Sequence, residues 1–243
     1  MAGLGLDYPT QWGRRPAARA LRDALHALAL VPYVKYISYL DVRGADRIAG
    51  RGPFIFAANH ASNLDTPLVL SALPAPIRRR TVVAAAMDNF FMRPVTAART
   101  VIVFNAIPID RHKVNRRSSQ LALDVLADGW NLLIYPEGGR TPTGDLYEFK
   151  GGAAYLAERA HAPVVPLYIH GAGELQGPKY AKAPRYVAAP SQRRHRVVVA
   201  FGDVLTCGEG EPIRRFNTRI EEAVVALGRD VSGDATLTIN RMD

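Results

Sequence analysis

The segment Asn59-His60-Ala61-Ser62-Asn63-Leu64-Asp65 sets an imidazole and a carboxylate five positions apart. On one continuous helix that offset would point the two side chains roughly 140° apart. The segment follows an apolar run, however, and precedes Thr66-Pro67, where Thr or Asp caps and Pro opens a helix. His60 and Asp65 therefore belong to a strand-to-helix turn, in which the chain folds back and the carboxylate reaches the ring. A carboxylate on one ring nitrogen holds it as N–H and leaves the other as a base. A substrate hydroxyl would then take the place that serine holds in a catalytic triad. Taken alone, an H-x-x-x-x-D pair also occurs as an ordinary structural contact.

Three further segments offer positive charge beside bare backbone. Tyr135-Pro136-Glu137-Gly138-Gly139-Arg140-Thr141 closes an apolar run with two glycines and a guanidinium, a combination that suits a phosphate or a Gly-rich turn with a solvated Arg. Phe149-Lys150-Gly151-Gly152 opens a helical pattern whose N-terminus favours an anion, and Lys150 adds charge there. Ile107-Pro108-Ile109-Asp110-Arg111 again sets an Arg just beyond an apolar run, where it serves as a ligand or as a surface charge.

The elements that must position these residues alternate between apolar runs and helical periods from Val42 onward, the pattern of an α/β layer fold. Strands are expected at Pro53–Ala58, Thr81–Ala86, Val101–Ile109, Asn131–Tyr135, Pro163–Ile169 and Arg196–Val204. Helices are expected at Pro67–Leu73, Val114–Ala127, Gly152–Ala160 and Ile213–Leu227. The Pro-, Lys- and Arg-rich stretch Gly171–Arg196 reads as a long surface loop, and residues after Arg229 as a loose tail. The fold class that results is α/β: a central mixed sheet flanked by helices, led by an N-terminal amphipathic helical, membrane-facing segment. Its divisions are residues 1–40, an N-terminal amphipathic helical segment; residues 41–228, the catalytic domain; and residues 229–243, the tail.

The N-terminal segment has an unusual pattern. Arg15, Arg19, Arg22 and His26 share one helical stripe while Leu21, Leu25 and Leu28 share the opposite one. After Pro32 the residues Tyr33, Tyr36, Ile37 and Leu40 continue a second apolar stripe, and Trp12 with three tyrosines suits a lipid headgroup interface. Packing on the protein's own core and lying on a membrane are both compatible with this pattern. No apolar run approaches the roughly 18 residues of a transmembrane helix, and the first residues do not form a secretory signal.

Length and composition exclude other classes. A chain of 243 residues with 48% hydrophobic and 22% charged residues supports a sizeable core and is neither disordered nor low in complexity. A single cysteine, Cys207, excludes an internal disulfide and fits a reducing compartment, and no cysteine cluster offers a zinc site. Thirty-one Lys and Arg against 22 Asp and Glu give a net charge of +9, so the chain seeks anions: nucleic acid, anionic lipid or phosphorylated molecules. Interleaved stacking aromatics and zinc-knuckle spacing are both missing, which turns the reading away from nucleic acid. No G-x-S-x-G elbow points to a serine esterase.

In their order, these segments resemble the glycerolipid acyltransferase family typified by bacterial lysophosphatidate acyltransferase. Its first motif, N-H-x-S-x-x-D, is matched fully by Asn59 to Asp65. Its third, usually F-P-E-G-T-R-S, reads Tyr-Pro-Glu-Gly-Gly-Arg-Thr at 135 to 141. Ile109-Asp110-Arg111 is similar to the close of the second motif, although the Gly usual upstream is replaced around Asn105-Ala106, and Val165-Pro166-Leu167 is similar to the fourth. The likeness spans about residues 40 to 205.

The resemblance implies an O-acyltransferase that moves a fatty acyl group from acyl-CoA or acyl-carrier protein, as co-substrate, to the hydroxyl of a lysophospholipid; it implies no cofactor and no metal. His60 would be the general base and Asp65 its orienting partner. Arg111 and Arg140 would clamp the acceptor phosphate, with Glu137 and Gly138 beside them and Lys150 as a further cation. The N–H groups between Asp65 and Leu68 are candidates for the oxyanion. Partners would be a lysophospholipid or related acceptor, the acyl donor and an anionic membrane surface, with the protein held peripherally at the cytoplasmic face of the cell membrane. The altered rim at Tyr135, Gly139 and Thr141 keeps a glycolipid sugar or an aminolipid open as acceptor. A non-catalytic basic lipid-binding protein is the reading from a different class.

Overall fold

In the computed structural model, which describes residues 3–48, 52–112, 115–141, 145–175 and 194–241, short apolar runs become strands. These are β1 (Ser38–Arg43), β2 (Ile55–Ala58), β3 (Thr81–Ala86), β4 (Ala106–Ile109), β5 (Asn131–Ile134), β6 (Leu146–Tyr147), β7 (Val164–His170), β8 (His195–Phe201) and β9 (Ile239–Asn240). Seven of them form one sheet in the order β1-β8-β7-β2-β5-β3-β4. Neighbours are parallel except β7 and β8, so the sheet is mixed, as expected. The strands β7, β2, β5, β3 and β4 all point the same way. The turns that follow them therefore open on one edge of the sheet, the place where α/β folds present ligands.

The helices are α1 (Pro16–Leu25), α2 (Val31–Ile37), α3 (Asp65–Ala72), α4 (Ala75–Arg78), α5 (Met87–Phe90), α6 (Pro94–Phe104), α7 (Arg116–Ala127), α8 (Gly152–Ala160) and α9 (Ile213–Ser232). Successive residues of a strand face opposite sides, and β2 shows the result. Phe56 and Ala58 pack with Leu68 and Val69 of α3 and Val101 of α6, whereas Ile55 and Ala57 pack with Val125 of α7 and Phe216 and Ile220 of α9. Burying a side chain such as Phe56 or Leu68 fully contributes on the order of 1.5–3 kcal/mol.

Several expected boundaries move. The run Val101–Ile109 divides: α6 continues to Phe104, Asn105 takes a left-handed φ of 52°, and only Ala106–Ile109 is strand. Apolar residues at Ala97 and Val101, with Pro94 opening the helix, satisfy a helical period that a short β-branched run conceals. The left-handed residue replaces the glycine expected near this point, and Asn tolerates that conformation better than most side chains. β1 begins at Ser38, so the apolar stripe expected to reach Leu40 as helix ends at Ile37. The tail is not loose: α9 runs on to Ser232, Gly233 ends it with a φ of 72°, and β9 then pairs with β6. Most of the expected loop Gly171–Arg196 and the helix start at Val114 fall outside the described residues.

The N-terminal helix is turned the opposite way from an ordinary surface helix. Arg22 is 4% and His26 3% exposed, whereas Leu21 is 52% and Leu28 81% exposed. The reason lies at the end of α6, whose last carbonyls have no partner within their own helix. Arg22 donates from Nε to the Ile102 carbonyl at 3.0 Å and from Nη2 to Val101 at 3.2 Å and Gly13 at 2.6 Å. His26 Nε2 donates to the Val103 carbonyl at 2.7 Å. A cation at a helix C-terminus is favoured by the helix dipole as well. Burial lowers the Arg22 guanidinium to about 10, so it stays charged at neutral pH, and burial likewise lowers His26. With Arg22 and His26 turned inward, Leu21 and Leu28 face out, while Leu25 is half-buried.

Candidate active site

The motif at the end of β2 folds into the tight turn its polar residues dictate. Asn59 bridges to β7, taking the Ile169 N–H on Oδ1 at 2.7 Å and donating from Nδ2 to the Ile169 carbonyl at 3.0 Å. The Ser62 hydroxyl accepts the Leu64 N–H at 3.0 Å, and the Ser62 carbonyl accepts the Asp65 N–H at 3.2 Å. That turn carries Asp65, the first residue of α3, back beneath His60. Asp65 is fully buried, and its Oδ2 accepts His60 Nδ1–H, Ala61 N–H and Ser62 N–H, each at 2.8 Å. Two backbone N–H groups thus share that oxygen with the ring. An acceptor-only carboxylate fixes the proton on Nδ1, which leaves the Nε2 lone pair bare. No hydrogen bond to Nε2 occurs among the described residues, and the His60 side chain is 19% exposed.

Residues from β5 hold the ring from its other side. Tyr135 stacks on His60 with ring centroids 4.1 Å apart and planes inclined by 20°. Its hydroxyl pairs with Thr66 Oγ1 at 2.9 Å, and burial pushes that hydroxyl well above its ordinary pKa. Glu137 Oε1 accepts the His60 N–H at 2.8 Å and its Oε2 accepts the Tyr147 N–H at 3.4 Å. The Thr141 N–H returns to the His60 carbonyl at 2.9 Å. Burial raises the Glu137 carboxyl to about 8 despite those two N–H donors. Both Glu137 oxygens face backbone N–H groups, so its carboxyl braces the turn that holds His60.

The cationic candidates gather along the same sheet edge. Arg111 follows β4, and its Nη2 donates to Asp88 Oδ2 at 2.6 Å. Partial burial alone would raise the Asp88 carboxyl, but the Arg111 hydrogen bond and charge, with His112, hold it below its ordinary value. Lys150 Nζ donates to the Arg111 carbonyl at 2.7 Å, and on its way the Lys150 chain crosses Gly138. A Cβ at Gly138 would lie 2.6 Å from Lys150 Nζ, and the φ of 72° there also favours glycine. Arg140 is exposed, with no partner among the described residues.

The structure thus joins His60, Asp65 and Glu137 directly, and links Arg111, Gly138 and Lys150 through one lysine. The suggested oxyanion donors are mostly spent: Asp65 and Leu68 give their N–H groups to Ser62 and Leu64, and Pro67 has none. Sequence reasoning passed over Asp88, and it left the bracing parts of Asn59 and Ser62 unassigned. Equal offsets beyond β3 and β4 could have pointed to Asp88 only with the strand pairing in hand. Among the described residues no cluster of His, Cys, Asp and Glu could hold a metal, and no helix is long and apolar enough to cross a membrane.

Comparison with known proteins gives the family and the fold. A family model described as Acyltransferase matches residues 39–170, more than half of the chain. The chain is 33% identical over 135 residues to human 1-acyl-sn-glycerol-3-phosphate acyltransferase beta, covering 52% of this chain and 45% of that protein. It is 27% identical over 177 residues to the mouse alpha enzyme, covering 70% of this chain and 58% of that one. The chain therefore spans about half the length of these curated relatives. The crystal structure of the 1-acyl-sn-glycerophosphate acyltransferase PlsC from Thermotoga maritima shares the fold, with a TM-score of 0.59 at 21% identity over 88% of this chain and 84% of that one.

Proposed function

Because this chain belongs to the acyltransferase family, we propose that it transfers a fatty acyl group from a thioester donor, acyl-CoA or acyl-carrier protein, to the free hydroxyl of a lysophosphatidate-like acceptor. The observation that carries this reading is the His60–Asp65 pair, with its proton on Nδ1 and its Nε2 bare and reachable. As the acceptor oxygen attacks the thioester carbonyl, its proton passes to Nε2, and Asp65 offsets the charge of the imidazolium. Collapse of the tetrahedral species expels the thiolate, which recovers that proton. No acyl-enzyme is needed, since holding two substrates in line is itself worth several kcal/mol.

Arg111, Lys150 and Arg140 supply the charge that a phosphate headgroup seeks at the rim. The relatives' names, 1-acyl-sn-glycerol-3-phosphate acyltransferases, favour that acceptor. Peripheral membrane association is supported by the outward apolar side chains of Leu21, Leu28, Tyr33 and Tyr36, with Lys35 beside them.

The test is mass spectrometry of the lipids formed when purified protein meets a mixed lysolipid pool and one labelled acyl donor. Acylation of lysophosphatidate is the expected result. Acylation confined to acceptors without phosphate would remove the phosphate clamp and favour a glycolipid sugar or an aminolipid.

A further inference from the structure

Ala86 and Ile109 are register partners at the ends of β3 and β4. Two residues beyond each, Asp88 and Arg111 meet as an ion pair at 2.6 Å, with side chains 37% and 30% exposed. The same Asp88 oxygen also faces His112 Nε2 at 3.5 Å. The guanidinium is only half used: its Nε is buried and donates no hydrogen bond among the described residues. A phosphate competes with Asp88 for Nη2, and it can take the Nε and Nη2 donors together only once the guanidinium has swung off Asp88.

We propose that Asp88 tempers the affinity for a phosphorylated acceptor: its carboxylate holds the Arg111 guanidinium as an internal anion that a phosphate dianion must displace and a neutral headgroup need not. Three observations support this. Asp88 and Arg111 leave the sheet on the edge where His60 stands. Lys150 Nζ holds the Arg111 carbonyl, so the side chain, not the backbone, is what exchanges partners. The half-exposed pair is weak enough for a dianion to break. Asp88 acts through Arg111 and does not touch the reacting atoms, so it is a positioning residue. The inference rests on Arg111 as headgroup ligand, as proposed above.

The experiment measures KM for lysophosphatidate and for monoacylglycerol in vesicles of uncharged phosphatidylcholine, the second followed as competitive inhibition where turnover is slow. Asp88→Asn should lower the KM for lysophosphatidate about two- to five-fold, the range for releasing a partly exposed ion pair. The monoacylglycerol value should stay in place, and Asp88→Glu should keep the wild-type ratio. Asp88→Ser is read the same way if the Asn variant melts early. An unchanged or raised KM for lysophosphatidate, or an equal shift for both acceptors, overturns the inference. Arg111→Ala separates the two levels. If it leaves the lysophosphatidate KM unchanged, Arg111 is no headgroup ligand and both readings fall. If it raises that KM while the Asp88 variants do not lower it, only the role of Asp88 falls.

Discussion

Replacing Asp65 by Asn tests the centre of the mechanism, because it keeps the shape of the side chain and removes its charge. Oδ2 holds three donors at 2.8 Å, two of them backbone N–H groups and one the His60 ring. Hydrogen bonds to a charged group are worth roughly 1 kcal/mol more than neutral ones, so three of them put the loss of stability at roughly 2–3 kcal/mol. The chemical loss is larger. An Asn that turns its NH2 group toward Nδ1 forces the proton onto Nε2 and removes the lone pair that accepts the substrate proton. Any other orientation still leaves the imidazolium without its counter-charge. General-base catalysis contributes typically 10²–10⁴-fold, so kcat should fall by about that factor in Asp65→Asn and in His60→Ala. Groups that act as one unit are non-additive, so the double variant should lose no more than a few-fold beyond either single one. The assay is thiol release from acyl-CoA at saturating acceptor, with urea melts to show that each variant is folded. A folded Asp65→Asn variant within a few-fold of wild type, or a double variant losing the product of the two single effects, would refute the reasoning.

Glu137 makes stability pH-dependent. Its carboxyl is raised from 4.5 to about 8, so the folded state holds a proton that the unfolded chain releases above about 4.5. The stability this proton contributes is present below that pH and is lost between pH 4.5 and 8, at about 1.4 kcal/mol per pH unit in the middle of the window. In urea melts from pH 5 to 8, Glu137→Gln should flatten this decline; an equal slope in both proteins would contradict the assignment. Arg22→Met removes a donor from three carbonyls, of which Val101 keeps the Asn105 N–H. It should cost about 2–5 kcal/mol and raise hydrogen exchange in the N-terminal helix before the sheet; wild-type exchange there would disprove the anchoring. Leu21→Ser with Leu28→Ser should weaken vesicle binding and leave the melting temperature in place, since both side chains already face solvent. Undiminished co-sedimentation would show that this face does not meet lipid.

Much of the site was legible because its chemistry is local. His60 and Asp65 lie within one turn, and the polar residues between them determine how that turn closes. The strands at Thr81–Ala86 and Asn131–Ile134 and the helix Gly152–Ala160 were legible for a related reason: each is bounded by its own turn or cap residues. Where one apolar run satisfied two periods, as at Val101–Ile109, the local pattern could not decide, and packing against the sheet did. The sequence also showed the two stripes of the N-terminal helix but not which one turns inward. That depends on the carbonyls of Val101, Ile102 and Val103 at the end of α6, nearly eighty residues away.

What the sequence determined alone is the close pairing of His60 with Asp65, the α/β class and the excess of basic residues, because residue types and short spacings suffice for these. Only the tertiary structure decided that Glu137 braces a turn, that Tyr135 stacks on His60 and that Asp88 occupies Arg111. Each of those contacts joins strands separated by a crossover, and hydrogen bonds of a few ångströms between such strands depend on sheet order and register. Composition and short spacings carry no record of either.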